Sequence, residues 1–265
     1  MITFSRAFVF IILLAVCQQV SGQKKNTWTV LTYNIHHANP PSKPGVIDVK
    51  AIGAVVRREA PDFVALQEVD VHTGRSGKTV DEAKDIAVDA GMNSCFAKAI
   101  DYDGGGYGIA ILSKYKIDST HVINLPSAIT GSENRVLLLA FINMGAKGQL
   151  IFACTHMDAS QSDASRLLQI AEITKSLQPW KYPVIISGDF NAEPDSKVVE
   201  KLDAGFIRSC KNGCGNTIPS DAPTKIIDYI AVRKGDRVAI LNHRVLPDVY
   251  PSDHLPVAAD IQWKK

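Results

Sequence analysis

Near the end of the chain, "YPSDHLPV" (residues 250–257) sets Asp253 beside His254 between two prolines, ahead of an apolar run. A carboxylate next to an imidazole can divide labour, the oxygen ligating a cation while a ring nitrogen handles a proton. The reverse arrangement, an apolar run closing on a chemically competent residue, recurs along the chain. "WTVLTYNI" closes on Asn34, "DFVALQEV" on Glu68, "LIFACTHM" on His156 and "PVIISGDFN" on Asp189 and Asn191. Asp189 and Asn191 alternate with one residue between them, so an extended strand sends both off on the same side. Asp228 lies inside the apolar "IIDYIAV", where a buried carboxylate is costly unless a cation or a proton donor meets it. Taken singly, Asn34 reads as a turn former, Glu68 as a surface acid and His156 as a satisfied core histidine. The set carries more than its members.

That set suits attack of water on a phosphorus ester. A hard divalent cation takes oxygen ligands and neutralises phosphate charge, and Glu68 and Asp253 are suitable ligands. A histidine held by a carboxylate accepts or stabilises a proton, which gives Asp228 the task of orienting His254 through its other ring nitrogen. Asn191 and His156 can donate hydrogen bonds to phosphoryl oxygens as charge develops on them.

The elements that must position these residues follow from periodicity. The closing runs above are strands. "SCFAKAI", "YGIAILS", "VLLLAFIN", "VAILNHRVL" and "PVAADIQW" add further ones. Between them, Ile52, Val55 and Val56 make a helical stripe opened by Asp48. Thr79 and Glu82 form a capping-box pattern for a second helix that ends at Gly91. Leu167, Ile170, Ala171, Thr174 and Leu177 mark a third helix, and Ser196 to Leu202 a short fourth. Runs of strands broken by a few helices predict two packed sheets with helices outside.

Composition sets the frame. The chain has 265 residues, 46% hydrophobic and 21% charged, enough to bury a large core. No linker, repeat or low-complexity stretch interrupts it, so residues 23–265 read as one domain. Residues 1–22 read as a secretory signal: Arg6, the apolar "AFVFIILLAV", then small residues with Val20 and Gly22 before the cut. The expected location is therefore secreted or periplasmic, with a lipoprotein anchor at Cys17 as the alternative. The formal charge of +2 drops by one with Arg6, and no polybasic tract marks a dedicated nucleic-acid surface. Cys210 and Cys214 flank "KNG" in a polar loop and are placed for a local disulfide in an oxidising compartment. "GRSGKT" (residues 74–79) echoes a phosphate-binding loop but has His72 where that motif needs glycine.

In order along the chain, "TYNIH", "LQEVD", "YGIAILS", "THMD", "GDFNAEP", "IDYI" and "SDH" together resemble the endonuclease/exonuclease/phosphatase superfamily. Pancreatic deoxyribonuclease, abasic-site endonucleases, neutral sphingomyelinases and inositol-polyphosphate 5-phosphatases share that metal-dependent fold. The resemblance implies an α/β four-layered sandwich, two packed mixed β-sheets flanked by helices, with the site at one end of the sheets. It implies Asn34, Glu68 and Asp253 around Mg2+, with Mn2+ as a substitute, and His156, Asp189, Asn191, Asp228 and His254 at the phosphate. For the proton of water, His254 partnered by Asp228 is preferred, with Asp189 positioning the water or the imidazole. Tyr107 falls where several relatives carry a site-facing tyrosine. Arg75, in the loop after Glu68, is placed to reach a substrate phosphate. Arg135 and Arg166 read as structural ion-pair partners, and Ile226 replaces a basic residue of close relatives.

The expected partner is a phosphoester substrate and no stable protein partner. A lipid head group or small phosphate ester is favoured over nucleic acid, because the rim segments "DYDGGGYG" and "PSAITGSEN" carry glycine, serine and acids rather than clustered arginine and lysine. A binding module that has lost the chemistry is disfavoured, since every motif keeps its acid or histidine.

Overall fold

The computed structural model describes residues 26–264. The expected signal segment, with Arg6 and Cys17, lies outside the described residues. β1 (Thr27–Asn34) and β2 (Phe63–Val71) run parallel, joined by α1 (Val49–Glu59), whose N-cap is Asp48. Parallel neighbours need such a crossover.

Around this pair the first sheet has the order β11 (Val238–Val245), β12 (Val257–Trp263), β1, β2, β4 (Gly105–Ser113), β3 (Asn93–Tyr102). The second has the order β5 (Ile117–Leu125), β6 (Arg135–Asn143), β7 (Gln149–His156), β8 (Val184–Asp189), β10 (Asp228–Arg233), β9 (Phe206–Arg208). Both are mixed, with β7 and β8 the parallel pair of the second. α2 (Glu82–Ala90) joins α1 on the outer face of the first sheet, and α3 (Ala164–Leu177) and α4 (Lys197–Gly205) cover the second.

Strand alternation builds these layers. Val30, Phe63, Ala65, Leu138 and Ile185 enter the core between the sheets. Their neighbours Leu31, Val64 and Leu66 face α1 and α2, while Leu137, Leu139 and Ile186 face α3 and α4. Central strands buried on both faces read as continuous apolar runs for this reason. The result is the expected four-layered α/β sandwich.

Local expectations fail in three places. The N-cap of α2 is Asp81, whose side chain accepts from Lys84 N at 3.0 Å, not Thr79. Glu82 is turned inward, where Oε2 accepts from Asp70 N at 2.7 Å, so it cannot close a capping box. On α3 the inward face is Gln169, Ile170, Ile173 and Leu177, while Ala171 faces out. β5 and β9 have no counterpart in the apolar pattern. β5 is a largely exposed edge strand, "IDSTHVINL", that exists through its ladder with β6. Cys210 and Cys214 do form a disulfide, with Cα atoms 5.7 Å apart.

Candidate functional site

Register assembles the site before any side chain is considered. His156 pairs with Asp189 across β7 and β8, and Asp189 with Asp228 across β8 and β10. Three strand ends thus place three reactive groups in one row. Asn34, at the end of β1 on the other sheet, bridges to that row: Nδ2 donates to Asp189 Oδ2 at 3.1 Å and to Glu68 Oε1 at 3.0 Å. The Ser252–His254 segment is pinned to the same strand end, because Ser252 Oγ donates to the Asn34 carbonyl at 2.7 Å and accepts from His254 N at 3.2 Å.

Two buried histidines face Asp189 from opposite sides. His254 Nδ1 lies 3.0 Å from Asp228 Oδ2, which also accepts from Thr217 Oγ1 at 2.6 Å. A carboxylate only accepts, so this Nδ1 carries a proton. His156 Nδ1 lies 3.1 Å from Arg135 Nη1. A guanidinium only donates, so this Nδ1 accepts and the neutral ring carries its proton on Nε2. The two Nε2 atoms stand 3.8 and 3.6 Å from Asp189 Oδ2.

Electrostatics separates the two rings further. Burial alone lowers the His254 pKa, but the charge and hydrogen bond of Asp228 and the charges of Asp189 and Asp253 overcome it and raise the value to about 10. Burial, then Arg135 and His254, holds His156 well below its ordinary value, so it is neutral. Burial and the Asp228 charge push the Asp189 carboxyl up. The proton shared in this cluster therefore rests on His254. That departs from the sequence-based preference for His254 as proton acceptor and leaves Asp189, whose Oδ1 and Oδ2 accept from Asn191 N and Asn34 Nδ2, as the other candidate base.

The candidate metal end lies beside it. Glu68 sits at a bulge where the pairing of β2 with β4 slips, with φ of 56°, which turns its carboxylate out of the ladder toward Asn34. Asp253 Oδ1 is 4.0 Å from His36 Nδ1, and His36 in turn lies near Glu68. Among the described residues neither carboxylate pairs with Lys or Arg. These oxygens, with the Asn34 carboxamide, fit a hard divalent cation. A second group able to hold an ion, Asp189, Asp228 and His254, coincides with the buried proton-handling cluster.

The chain between Asn34 and Asn39 is strained. His36, His37 and Ala38 adopt φ of 48°, 41° and 51° in succession, a left-handed turn that costs L-residues ~1–2 kcal/mol each. Burial, then Arg75 and His36, lowers the His37 pKa to about 4.

The remaining candidates are distributed around this centre. Asn191, also at positive φ (48°), donates from its backbone N to Asp189 Oδ1 at 2.8 Å and from Nδ2 to the Met157 carbonyl at 3.0 Å. Tyr107 is half-buried and lines a narrow crevice with Arg135 and His156. Burial and the charges of Glu68 and Glu133 raise its pKa. Arg75 is held in a two-pronged bond to Asp70, at 2.7 and 2.9 Å, beneath the rings of Tyr102 and Tyr107. This fixes its charge beside the site, while the guanidinium is committed to Asp70.

Arg166 pairs with Asp163 as expected. Arg135 pairs with Glu133 as well, but its contact with His156 gives it a place in the site that the ion-pair reading missed. Thr217 was missed outright, having only a polar loop around it. A buried arginine directly opening "VLLLAFIN" was the available signal for the first; none existed for the second.

Comparison with known proteins agrees with this fold. The family model described as "Endonuclease/Exonuclease/phosphatase family" matches residues 31–254. An endonuclease/exonuclease/phosphatase from Beutenbergia cavernae is similar in structure, with a TM-score of 0.76 at 22% identity, covering 91% of this chain and 72% of that one. A mannosyl-6-phosphatase from Bacteroides thetaiotaomicron gives a TM-score of 0.70 at 20% identity, covering 89% of this chain and 100% of that one. The human Nocturnin catalytic domain gives 0.71 at 20% identity, covering 90% and 94%. No curated protein sequence matches. With the motifs, the four layers and the family match in agreement, the chain belongs to the endonuclease/exonuclease/phosphatase family of metal-dependent phosphoester hydrolases.

Proposed function

We propose that this protein is a magnesium-dependent phosphoesterase acting on a compact polar head group, soluble or lipid-borne. The observation that carries the catalytic part is the pair of oppositely set imidazoles around Asp189. Asn34, Glu68 and Asp253 would hold a divalent ion, which would supply positive charge against the phosphate. Asp189, raised toward neutrality by burial and Asp228, takes the proton of the attacking water, since a base with a pKa near the working pH is the effective one. His254, kept protonated by Asp228, and His156, offering Nε2–H, donate to phosphoryl oxygens as negative charge grows on them. Asn191 holds the Asp189 carboxylate through its backbone N–H.

The substrate preference rests on the surroundings. A polar cleft of about 680 Å³ opens beside Asn191, lined among others by Ser160, Gln161, Asp163, Glu193 and Lys225. Mixed charges and amides of this kind suit a hydroxyl-bearing head group better than a polyanionic duplex. The structural likeness to a mannosyl-6-phosphatase points the same way. Competitive turnover at physiological salt tests it, with sugar and inositol phosphates, phospholipids and plasmid DNA offered together. Sugar phosphates and phospholipids distinguish a soluble from a lipid-borne head group, and a kcat/KM for DNA well above both would overturn the preference. Chelation should abolish turnover and Mg2+ or Mn2+ restore it, because Glu68, Asp253 and a phosphate repel one another without a cation. Full activity after exhaustive chelation would refute the metal requirement.

Export belongs to the same proposal. The short apolar run of residues 1–22 and the Cys210–Cys214 disulfide support an oxidising compartment. The intact mass of secreted protein should correspond to a start at Gln23, and a lipid on Cys17 would contradict it.

A further inference from the structure

The mechanism uses neither His36 nor His37, yet the backbone is distorted to bring them together. Consecutive side chains of an extended segment point to opposite sides. Three successive left-handed residues, His36, His37 and Ala38, undo that alternation, and the two rings meet edge to face with centroids 4.5 Å apart. Glu68, itself at positive φ, comes to the same place, so that one donor atom from each of the three residues lies within 4.8 Å of the others.

The rings are also prepared as ligands. His36 Nδ1 lies 2.9 Å from the Asn39 carbonyl. A carbonyl only accepts, so Nδ1 carries the proton and the Nε2 lone pair is left available, the arrangement that orients histidines on metals. His37 Nδ1 is buried and has no hydrogen-bond partner. Burying a ring nitrogen without one is unfavourable, and a cation between the rings would satisfy it.

We propose that His36, His37 and Glu68 form a second cation position, selective for a divalent transition-metal ion such as Mn2+, Co2+, Ni2+ or Zn2+. Two imidazoles and one carboxylate suit these ions, whereas Mg2+ demands oxygen and holds its waters. Glu68, with two oxygens, is shared with the all-oxygen position formed with Asn34 and Asp253. The inference rests on the donor geometry and not on the identity of the substrate.

Cobalt is the probe, because its visible absorption and its paramagnetism both report nitrogen ligation. Metal-free protein titrated with Co2+ in a large excess of Mg2+ should retain one equivalent with a ligand-field band. Its proton NMR spectrum should show hyperfine-shifted, solvent-exchangeable imidazole N–H signals. His36→Ala/His37→Ala should weaken retained cobalt at least about tenfold, while Asp253→Asn, which removes a ligand of the oxygen position and none of the three donors, should keep the band. Complete displacement of Co2+ by Mg2+, absence of shifted imidazole signals in the wild-type protein, or equal retention by a folded double variant would each overturn the proposal. The wild-type NMR spectrum decides the matter even if the double variant does not fold. Magnesium-supported turnover of the wild-type enzyme tests the phosphoesterase reading separately.

Discussion

Asp228 acts on His254 by its charge and by the bond to Nδ1, and both keep a proton on the ring. Asparagine keeps an acceptor and loses the charge, so Asp228→Asn lowers the His254 pKa. If protonated His254 serves the phosphate, the alkaline limb of the kcat/KM profile moves to lower pH in this variant. If His254 were the base, the acid limb would move instead, and the profile distinguishes the two. Asp228→Asn and His254→Ala should each lower kcat at least about a hundredfold. The double variant should be little worse than the more damaging single one, because the residues act as a unit. A loss equal to the product of the single losses would refute the partnership. Arg135 holds the His156 ring in place as Asp228 holds that of His254, but keeps it neutral with its proton on Nε2. Arg135→Met should lower kcat with little change in KM, and nitrogen NMR of His156 should show mixed tautomers; a ring that stays protonated on Nε2 alone would show that Arg135 is not what sets it.

At the scale of elements, α2 separates capping from burial. Asp81→Ala should cost ~1 kcal/mol by loss of the cap, and Thr79→Ala, at an exposed position, under ~0.5 kcal/mol; urea midpoints give both. The reverse order would restore the capping box. Glu82 carries a pH dependence of its own. Burial raises its pKa from 4.5 to about 8, so between those values the folded chain holds a proton that the unfolded chain releases. The stabilisation is complete below the unfolded pKa and is lost as pH rises, by about 1.4 kcal/mol per pH unit, until the folded pKa is passed. Glu82→Gln cannot ionise. Its stability relative to wild type should therefore improve from pH 5 to pH 8, and an unchanged difference would show that Glu82 is ionised in the fold.

For the whole molecule, the sheets are held by the core between them and meet again at the site through Asn34 and Asp189. Phe152 on β7 packs against Phe63 on β2, ring centroids 5.5 Å apart, in the middle of that core. Phe152→Ala should cost ~3–5 kcal/mol in denaturant unfolding. It should also lower kcat in the protein that remains folded, since slack between the sheets reaches the bond between them. A large loss of stability with unaltered kcat would mean that the site is rigid independently of the core.

The candidate site residues were legible because each closes, interrupts or directly precedes an apolar run that is local in sequence. Asn34, Glu68, His156, Asp189 and Asn191 close such runs, Asp228 interrupts one and Asp253–His254 stand ahead of one, while the order of strands and helices calls for two packed sheets with helices outside and the family resemblance for four layers. The edge strand β5 was not legible, because a ladder on one side asks little of side chains that face water. Nor was the cap of α2, where Asp81 lies between the two residues of the apparent box. Which proton sits where was beyond the sequence altogether. It depends on Arg135 meeting His156, Thr217 meeting Asp228, and Asn34 reaching Asp189 across a sequence separation of 155. The left-handed turn at His36–Ala38 and the bulge at Glu68 belong to the same class. Residue type and period are properties of a short stretch of chain, whereas tautomer, charge state and strained backbone are set by what distant segments bring into contact, and only the packed sheets decide that.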